Sequence, residues 1–140
     1  MLQELDALPD GLLNTQTRDL QRLLGGPTLI HLAGEREPAL FVSLLMHGNE
    51  TVGWEAIREL LALYGDRRLP RALSLFIGNV AAAARGLRRL DNQPDYNRVW
   101  PGSDQPETPE HRLMRRVVDI MAARGVFASV DVHNNTGLNP

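Results

Sequence analysis

Leu40-Phe41-Val42-Ser43-Leu44-Leu45-Met46-His47-Gly48-Asn49-Glu50 is an apolar run that stops abruptly at a histidine, a glycine, an amide and an acid. Residues 40–46 lack polar alternation, the pattern of a central strand covered on both faces. Behind them, residues 50–64 set Ile57, Leu60, Leu61 and Tyr64 at helical spacing, and Gly65 stands where a left-handed helix stop belongs. A strand that feeds a helix through a short polar turn is the repeating unit of α/β proteins, and it predicts a sheet whose strand ends at His47.

The same reading extends in both directions. Upstream, residues 14–24 predict a helix with Asn14 as N-cap, Leu20, Leu23 and Leu24 on one face, and Gly25-Gly26 as the stop. Thr28–Leu32 is a short apolar run separated from residues 40–46 by Gly34-Glu35-Arg36-Glu37-Pro38, which reads as two strands joined by a turn. Downstream, Leu73–Ile77 predicts a third strand and residues 80–84 one or two helical turns. Residues 89–109 are rich in Pro, Asp and Asn and too long for a simple connector, which points to a function for that loop. Pro109–Arg124 predicts a strong helix, opened by a proline in its first turn and stopped by Gly125, and residues 126–132 a last strand. The expected fold class is α/β, a mixed but mostly parallel central sheet with helices on both faces.

Composition bounds what such a fold can do. The 140 residues suffice for one domain, with 43% apolar and 23% charged residues, as in soluble globular proteins. A formal charge of −2 gives no basic field for nucleic acid, so the expected partner is a small molecule. The chain has no cysteine, so a bound metal would need histidine and carboxylate ligands. Met1 to Asp10 is acidic and broken by Pro9, unlike a secretory signal, and no apolar run reaches the roughly 20 residues of a membrane span, so the expected setting is the cytoplasm.

The chemistry sits at strand ends. Residues 40–46 run directly into His47 and Glu50, and residues 126–132 run directly into His133-Asn134-Asn135. In open α/β sheets, ligand sites form beyond the carboxyl ends of strands. If the two strands are parallel neighbours, their histidines converge there, with Gly48 expected to let the backbone bend so that Glu50 joins them. Two neutral imidazoles and one carboxylate form a three-ligand zinc site with an open position, the catalytic rather than the structural arrangement. A lone His-x-x-Glu is commonplace; the second strand-end histidine is what gives it weight. His31, within a strand, and His111, on a helix, lie at no such junction and read as structural or solvated. Asp131, two residues before His133 on the same strand face, is expected either to orient that imidazole or to be a buried structural acid.

Three blocks now stand in order: His47-Gly48-Asn49-Glu50, Asp95-Tyr96-Asn97-Arg98-Val99-Trp100-Pro101-Gly102, and Asp131-Val132-His133-Asn134-Asn135-Thr136-Gly137. In order and approximate spacing they resemble the succinylglutamate desuccinylase and aspartoacylase family, a branch of the zinc carboxypeptidase superfamily, from about Leu40 to Pro140. The resemblance implies a single zinc ion held by His47, Glu50 and His133. It implies that Asn97 and Arg98 hold a substrate carboxylate, a task that suits a planar guanidinium and a neutral donor. It also implies an arginine that polarises the scissile carbonyl, assigned to Arg89, with Arg88 and Arg85 as the alternatives because Leu90 replaces the family's aromatic residue. The family's general base, a glutamate, lies beyond the last histidine motif. Residues 1–140 therefore read as the N-terminal part of a single zinc-hydrolase catalytic domain, with an uncovered sheet edge open to self-association.

The implied activity is metal-assisted hydrolysis of an amide in a carboxylate-bearing small substrate, by an N-acyl amino acid deacylase or a carboxypeptidase-like enzyme. Three other readings compete: a non-catalytic zinc-binding protein of the same fold, a metallophosphoesterase, and a plain α/β binding module with structural histidines. The metallophosphoesterase ranks low, because Asp131-x-His133 follows the His-Gly-Asn-Glu block and no second metal cluster is evident.

Overall fold

The computed structural model describes residues 1–134; residues 135–137, the end of the third sequence block, and residues 138–140 lie outside the described part. Five strands form one sheet: β1 (Gln3–Leu5), β2 (Thr28–Leu32), β3 (Ala39–Leu44), β4 (Leu73–Ile77) and β5 (Val126–Asp131), in the order β1-β2-β4-β3-β5. Three of the pairings are parallel and β2 with β4 is antiparallel, so the sheet is mixed and mostly parallel, as expected.

Helices cover both faces. Ile30, Val42, Leu44, Leu73, Leu75 and Ile77 point to one side and pack against α1 (Leu20–Leu24), α2 (Val52–Tyr64) and α3 (Val80–Ala83). Leu29, Phe41 and Phe76 point to the other side and pack against Met114, Val117, Ile120 and Met121 of α4 (Pro109–Arg124). This division follows from the alternation of side chains along each strand. Trp54, fully buried at the start of α2, donates its indole N–H to the Thr15 carbonyl at 2.9 Å and fixes the N-terminal segment to the core. Among the described residues no helix is long and apolar enough to cross a membrane.

Several sequence expectations need correction. The strands β2 and β3 are not paired: β4 lies between them, antiparallel to β2 and parallel to β3. The polar segment between them is a connection across a strand position, and β4, buried along its whole length, takes the centre. The helix expected over residues 14–24 is two single 3-10 turns, Leu12–Asn14 and Thr17–Asp19, followed by the five residues of α1. Leu12, Leu20 and Leu24 face the core and Leu23 faces solvent, while Gly25 does end the helix with φ 73°. In α2 the buried residues are Gly53, Trp54 and Leu61; Leu60 is largely exposed. The strand β1 escaped the sequence reading because three residues of an acidic segment carry no periodic signal.

Both histidines outside the strand-end junctions are buried and structural. His111 Nδ1 accepts the Thr108 N–H at 3.1 Å at the start of α4. His31 Nδ1 lies 2.8 Å from the Ser74 hydroxyl and its Nε2 3.2 Å from Glu4. Burial and the charge of Arg124 lower the His31 pKa, and the Glu4 and Asp6 carboxylates oppose them without prevailing. A histidine with a lowered folded pKa adds stability that is present above its unfolded value of about 6.5 and is lost as pH falls toward the folded value. Denaturant titrations at pH 7 and pH 5 are expected to show a larger loss of stability on acidification for the native chain than for His31→Gln. An equal loss in both would remove His31 as the acid-sensitive group.

Candidate metal centre

β3 ends at Leu44, two residues short of the expected boundary, because Leu45 turns the chain with φ 54°. That left-handed conformation is costly for a branched side chain and is held by its surroundings: Leu45 is fully buried and its carbonyl accepts the Asn79 N–H at 2.7 Å. Gly78 makes room for the turn, since a Cβ there would stand 3.1 Å from the Leu45 oxygen. His47 then sits in a tight turn closed by the Glu50 N–H on the His47 carbonyl at 3.1 Å, and Glu50 precedes α2 instead of opening it.

Gly48 lies at the centre of that turn, where the chain bends as expected, although its φ is not positive. It also supplies close approach. A Cβ on Gly48 would lie 2.2 Å from the Ala83 nitrogen and 2.5 Å from the Ala82 carbonyl carbon, and its own N–H bonds the Arg88 carbonyl at 3.0 Å. The histidine turn is thus pressed onto α3 and tied to the arginine loop. Gly48→Ala is expected to push these elements apart and to weaken metal binding by the purified protein at least tenfold, measured by chelator competition. Unchanged binding would show that the turn tolerates the separation.

The strands β3 and β5 are parallel neighbours, with Ser43 opposite Asp131 and the Val132 N–H extending the ladder to the Ser43 carbonyl at 3.0 Å. Their terminal histidines meet, with ring centroids 5.3 Å apart. Glu50 lies between them: Oε1 is 2.8 Å from His47 Nδ1, and Oε2 is 2.7 Å from His133 Nδ1. His47, Glu50 and His133 each offer one donor atom within 4.8 Å of the others, a group that can hold a metal ion.

The far nitrogens are held as well. Asp95 Oδ1 is 2.9 Å from His47 Nε2, and Asp131 Oδ2 is 2.6 Å from His133 Nε2. A carboxylate on one nitrogen turns the other toward a cation and raises its basicity. Asp95 also accepts the Asn97 N–H at 2.9 Å and an Arg88 N–H at 3.1 Å. Burial acts to raise the Asp95 pKa, but these donors and His47 outweigh it, and the carboxyl lies below its ordinary value. For Glu50, burial is likewise outweighed by hydrogen bonds from His133 and His47, and its pKa is lowered. At His133, burial acts downward and the Asp131 and Glu50 carboxylates prevail, so its pKa is raised.

The donor set suits a dication. A cation at the near nitrogens replaces the protons there and leaves the imidazoles neutral. Glu50, Asp95 and Asp131 then carry three negative charges, Arg88 pairs with Glu50 and Asp95, and among the described residues two negative charges are left for a divalent cation to offset. Two imidazoles and one carboxylate match the ligand set of catalytic zinc sites.

The long loop earns its length. Its 3-10 turn Tyr96–Arg98 is anchored by the buried Tyr96, whose pKa is pushed up to about 12 by burial and by Glu110, and by the buried Val99. Asn97 reaches the centre, with its side-chain amide 2.9 Å from His133 Nε2. The Arg98 side chain is exposed and, among the described residues, makes no hydrogen bond or ion pair. Arg89 turns away to the Gln93 carbonyl at 2.7 Å, while its neighbour Arg88 lies 3.4 Å from Glu50. Asp95 and Arg88 are the members the residue reading did not single out for these contacts; Asp95 opens the second sequence block, and that position was the available signal.

The catalytic-domain model of the succinylglutamate desuccinylase/aspartoacylase family matches residues 36–136. The chain belongs to this family. Neither curated proteins nor solved structures give a match. The matched region starts just before β3 and contains His47, Glu50 and His133, so the group that can hold a metal lies within the part of the chain that matches the succinylglutamate desuccinylase/aspartoacylase catalytic domain. At that coarse level the protein is a hydrolase.

Proposed function

We propose that the protein is a zinc-dependent amidohydrolase whose substrate is a small carboxylate-bearing molecule, an N-acyl amino acid or a peptide C-terminus. The observation that carries this reading is the convergence of His47, Glu50 and His133 within 4.8 Å, with the far nitrogen of each imidazole facing its own aspartate. A zinc ion at such a triad supplies Lewis acidity toward the scissile carbonyl and lowers the pKa of water at its open position to about 7.

The chain's own residues take the following parts in this reading. Asp95 and Asp131 hold the imidazoles in the orientation that leaves Nδ1 to the cation. Arg88, beside Glu50, faces the place where negative charge develops on the carbonyl oxygen, and we assign the polarising role to it in preference to Arg89, which is committed to the Gln93 carbonyl. Asn97 and Arg98 receive the substrate carboxylate; the free guanidinium of Arg98 suits two parallel hydrogen bonds. Asp95 and Asp131 are each engaged by two or more partners, so the reading places the proton-accepting carboxylate outside the described residues. The same engagement favours a second reading, a metal-binding protein of this fold without hydrolytic turnover.

Metal analysis of the purified protein is expected to give one zinc per chain, lost in His47→Ala and in His133→Ala; equal zinc in all three would end the metal-centre reading. Hydrolysis of N-acyl amino acids separates the enzyme from the binding protein. In that assay Arg88→Ala is expected to lower kcat by about 10²–10³, the scale for losing one donor to an oxyanion, with Arg89→Ala within a few-fold of the native chain. The reverse order would return the role to Arg89.

A further inference from the structure

Ser43 is a polar residue in a strand that is otherwise apolar, Ala39–Leu44, and it is only 2% exposed. A buried hydroxyl is costly unless it is hydrogen-bonded, and this one has a specific partner. It donates to Asp131 Oδ1 at 2.7 Å across the β3–β5 pairing, in which Ser43 and Asp131 stand directly opposite. The other oxygen of Asp131 faces His133 Nε2 at 2.6 Å, and His133 Nδ1 faces Glu50 at 2.7 Å. A continuous chain of hydrogen bonds therefore runs from the interior of β3 to the proposed metal ligand.

The two imidazoles are secured unequally. Asp95, behind His47, is 22% exposed and is fixed by a backbone N–H and by Arg88 in addition to the histidine. Asp131, behind His133, is 38% exposed on the edge strand, and among the described residues its only hydrogen-bond partners are Ser43 and His133. A half-exposed carboxylate with no other anchor would share its orientation between water and the histidine. The Ser43 hydroxyl is what selects one orientation.

We infer that Ser43 is a positioning residue: by clamping Asp131 it holds His133 with Nε2–H toward the carboxylate and Nδ1 toward the cation. This rests on the metal-centre reading for its consequence, and on the Ser43–Asp131–His133 geometry alone for its premise.

Two measurements on the full chain test the two parts separately. Zinc affinity by chelator competition is expected to fall about 10- to 100-fold in Ser43→Ala, the range for removing a group that orients a metal ligand. Ser43→Thr keeps the hydroxyl and is expected to restore most of the affinity, whereas Ser43→Val, of the same shape without it, is expected to behave as Ser43→Ala. Comparing threonine with valine removes packing as an explanation. In the metal-free chain, proton–nitrogen NMR is expected to show a slowly exchanging, downfield His133 Nε2–H that is lost in the alanine and valine variants and kept in the threonine variant. A resonance that survives in all three variants overturns the inference whether or not the protein binds zinc. Native protein that binds no zinc yet shows the expected NMR pattern would keep the clamp and remove the metal-centre reading. Zinc affinity equal in native, alanine and valine forms, with binding abolished by His47→Ala, would keep the metal centre and reject Ser43 as its positioning residue.

Discussion

The parallel pairing of β3 with β5 is the constraint from which the rest of the centre follows. His47 and His133 are far apart in sequence, and nothing local brings them together; the ladder that sets Ser43 opposite Asp131 does. Because side chains alternate faces along a strand, a slip of one residue would carry Asp131 to the other side of the sheet. The register irregularity in this pair falls between Ala39 and Leu40, at the end remote from the histidines, so the bulge leaves the functional end in register. At that end the two strands also leave the ladder differently. β3 turns through the left-handed Leu45 into the histidine loop, and β5 continues straight through Val132 to His133, whose near neighbour packs against the Cα of Gly53.

The balance of charge explains why the cluster holds together around a carboxylate. Three acids gathered at a sheet rim repel one another, and at Glu50 and Asp95 burial adds a desolvation cost that works to raise the pKa. In Glu50 and Asp95 hydrogen bonds reverse that tendency and keep the carboxyls ionised. At Glu50 the donors are the two imidazoles, and at Asp95 they are the Asn97 N–H, His47 and Arg88, so the imidazoles that would bind a cation also stabilise the anions. A site built this way is preorganised: the near nitrogens already face the Glu50 oxygens, and the far nitrogens already have their acceptors.

Those aspects of the molecule that depend on local pattern were legible in the sequence. The predominantly apolar runs marked β2, β3, β4 and β5, and the Pro109 start and Gly125 stop marked α4 within its observed bounds. The convergence of His47, Glu50 and His133 followed from strand ends and one topological condition. What was not legible depended on partners distant in the chain. Nothing between Thr28 and Met46 reveals that β4 will insert between β2 and β3, because that outcome is decided by which strand is apolar on both faces and by the α2 crossover, and a short turn-like segment reads the same in either topology. Which of the two adjacent arginines lies against Glu50 was equally hidden: Arg88 does, Arg89 bonds the Gln93 carbonyl, and the loop is fixed by Gln93, whose side chain accepts the Leu90 N–H and an Asn79 amide N–H. Only the bend at Gly48 was legible, because a glycine needed for close approach is identical in sequence to one needed for a turn.

The unequal support of the two histidines is a consequence of where they lie in the sheet. β3 is interior, flanked by β4 and β5, and the loop carrying His47 is enclosed by α3 and by the arginine loop; His47 is correspondingly 4% exposed. Among the described residues β5 lies at the edge, and Phe127 and Val130 along it are exposed. A ligand at the end of an edge strand lacks the packing that would otherwise lock its rotamer, and a hydrogen-bond chain anchored in the interior strand is the means by which the rigidity of β3 reaches it. Ser43 is therefore placed where such an anchor has to be: buried on β3, in register with Asp131, and on the face from which Asp131 can reach His133. An apolar residue at that position would leave Asp131 with His133 as its sole side-chain partner among the described residues, and the polar interruption in an otherwise apolar strand is the trace of that requirement.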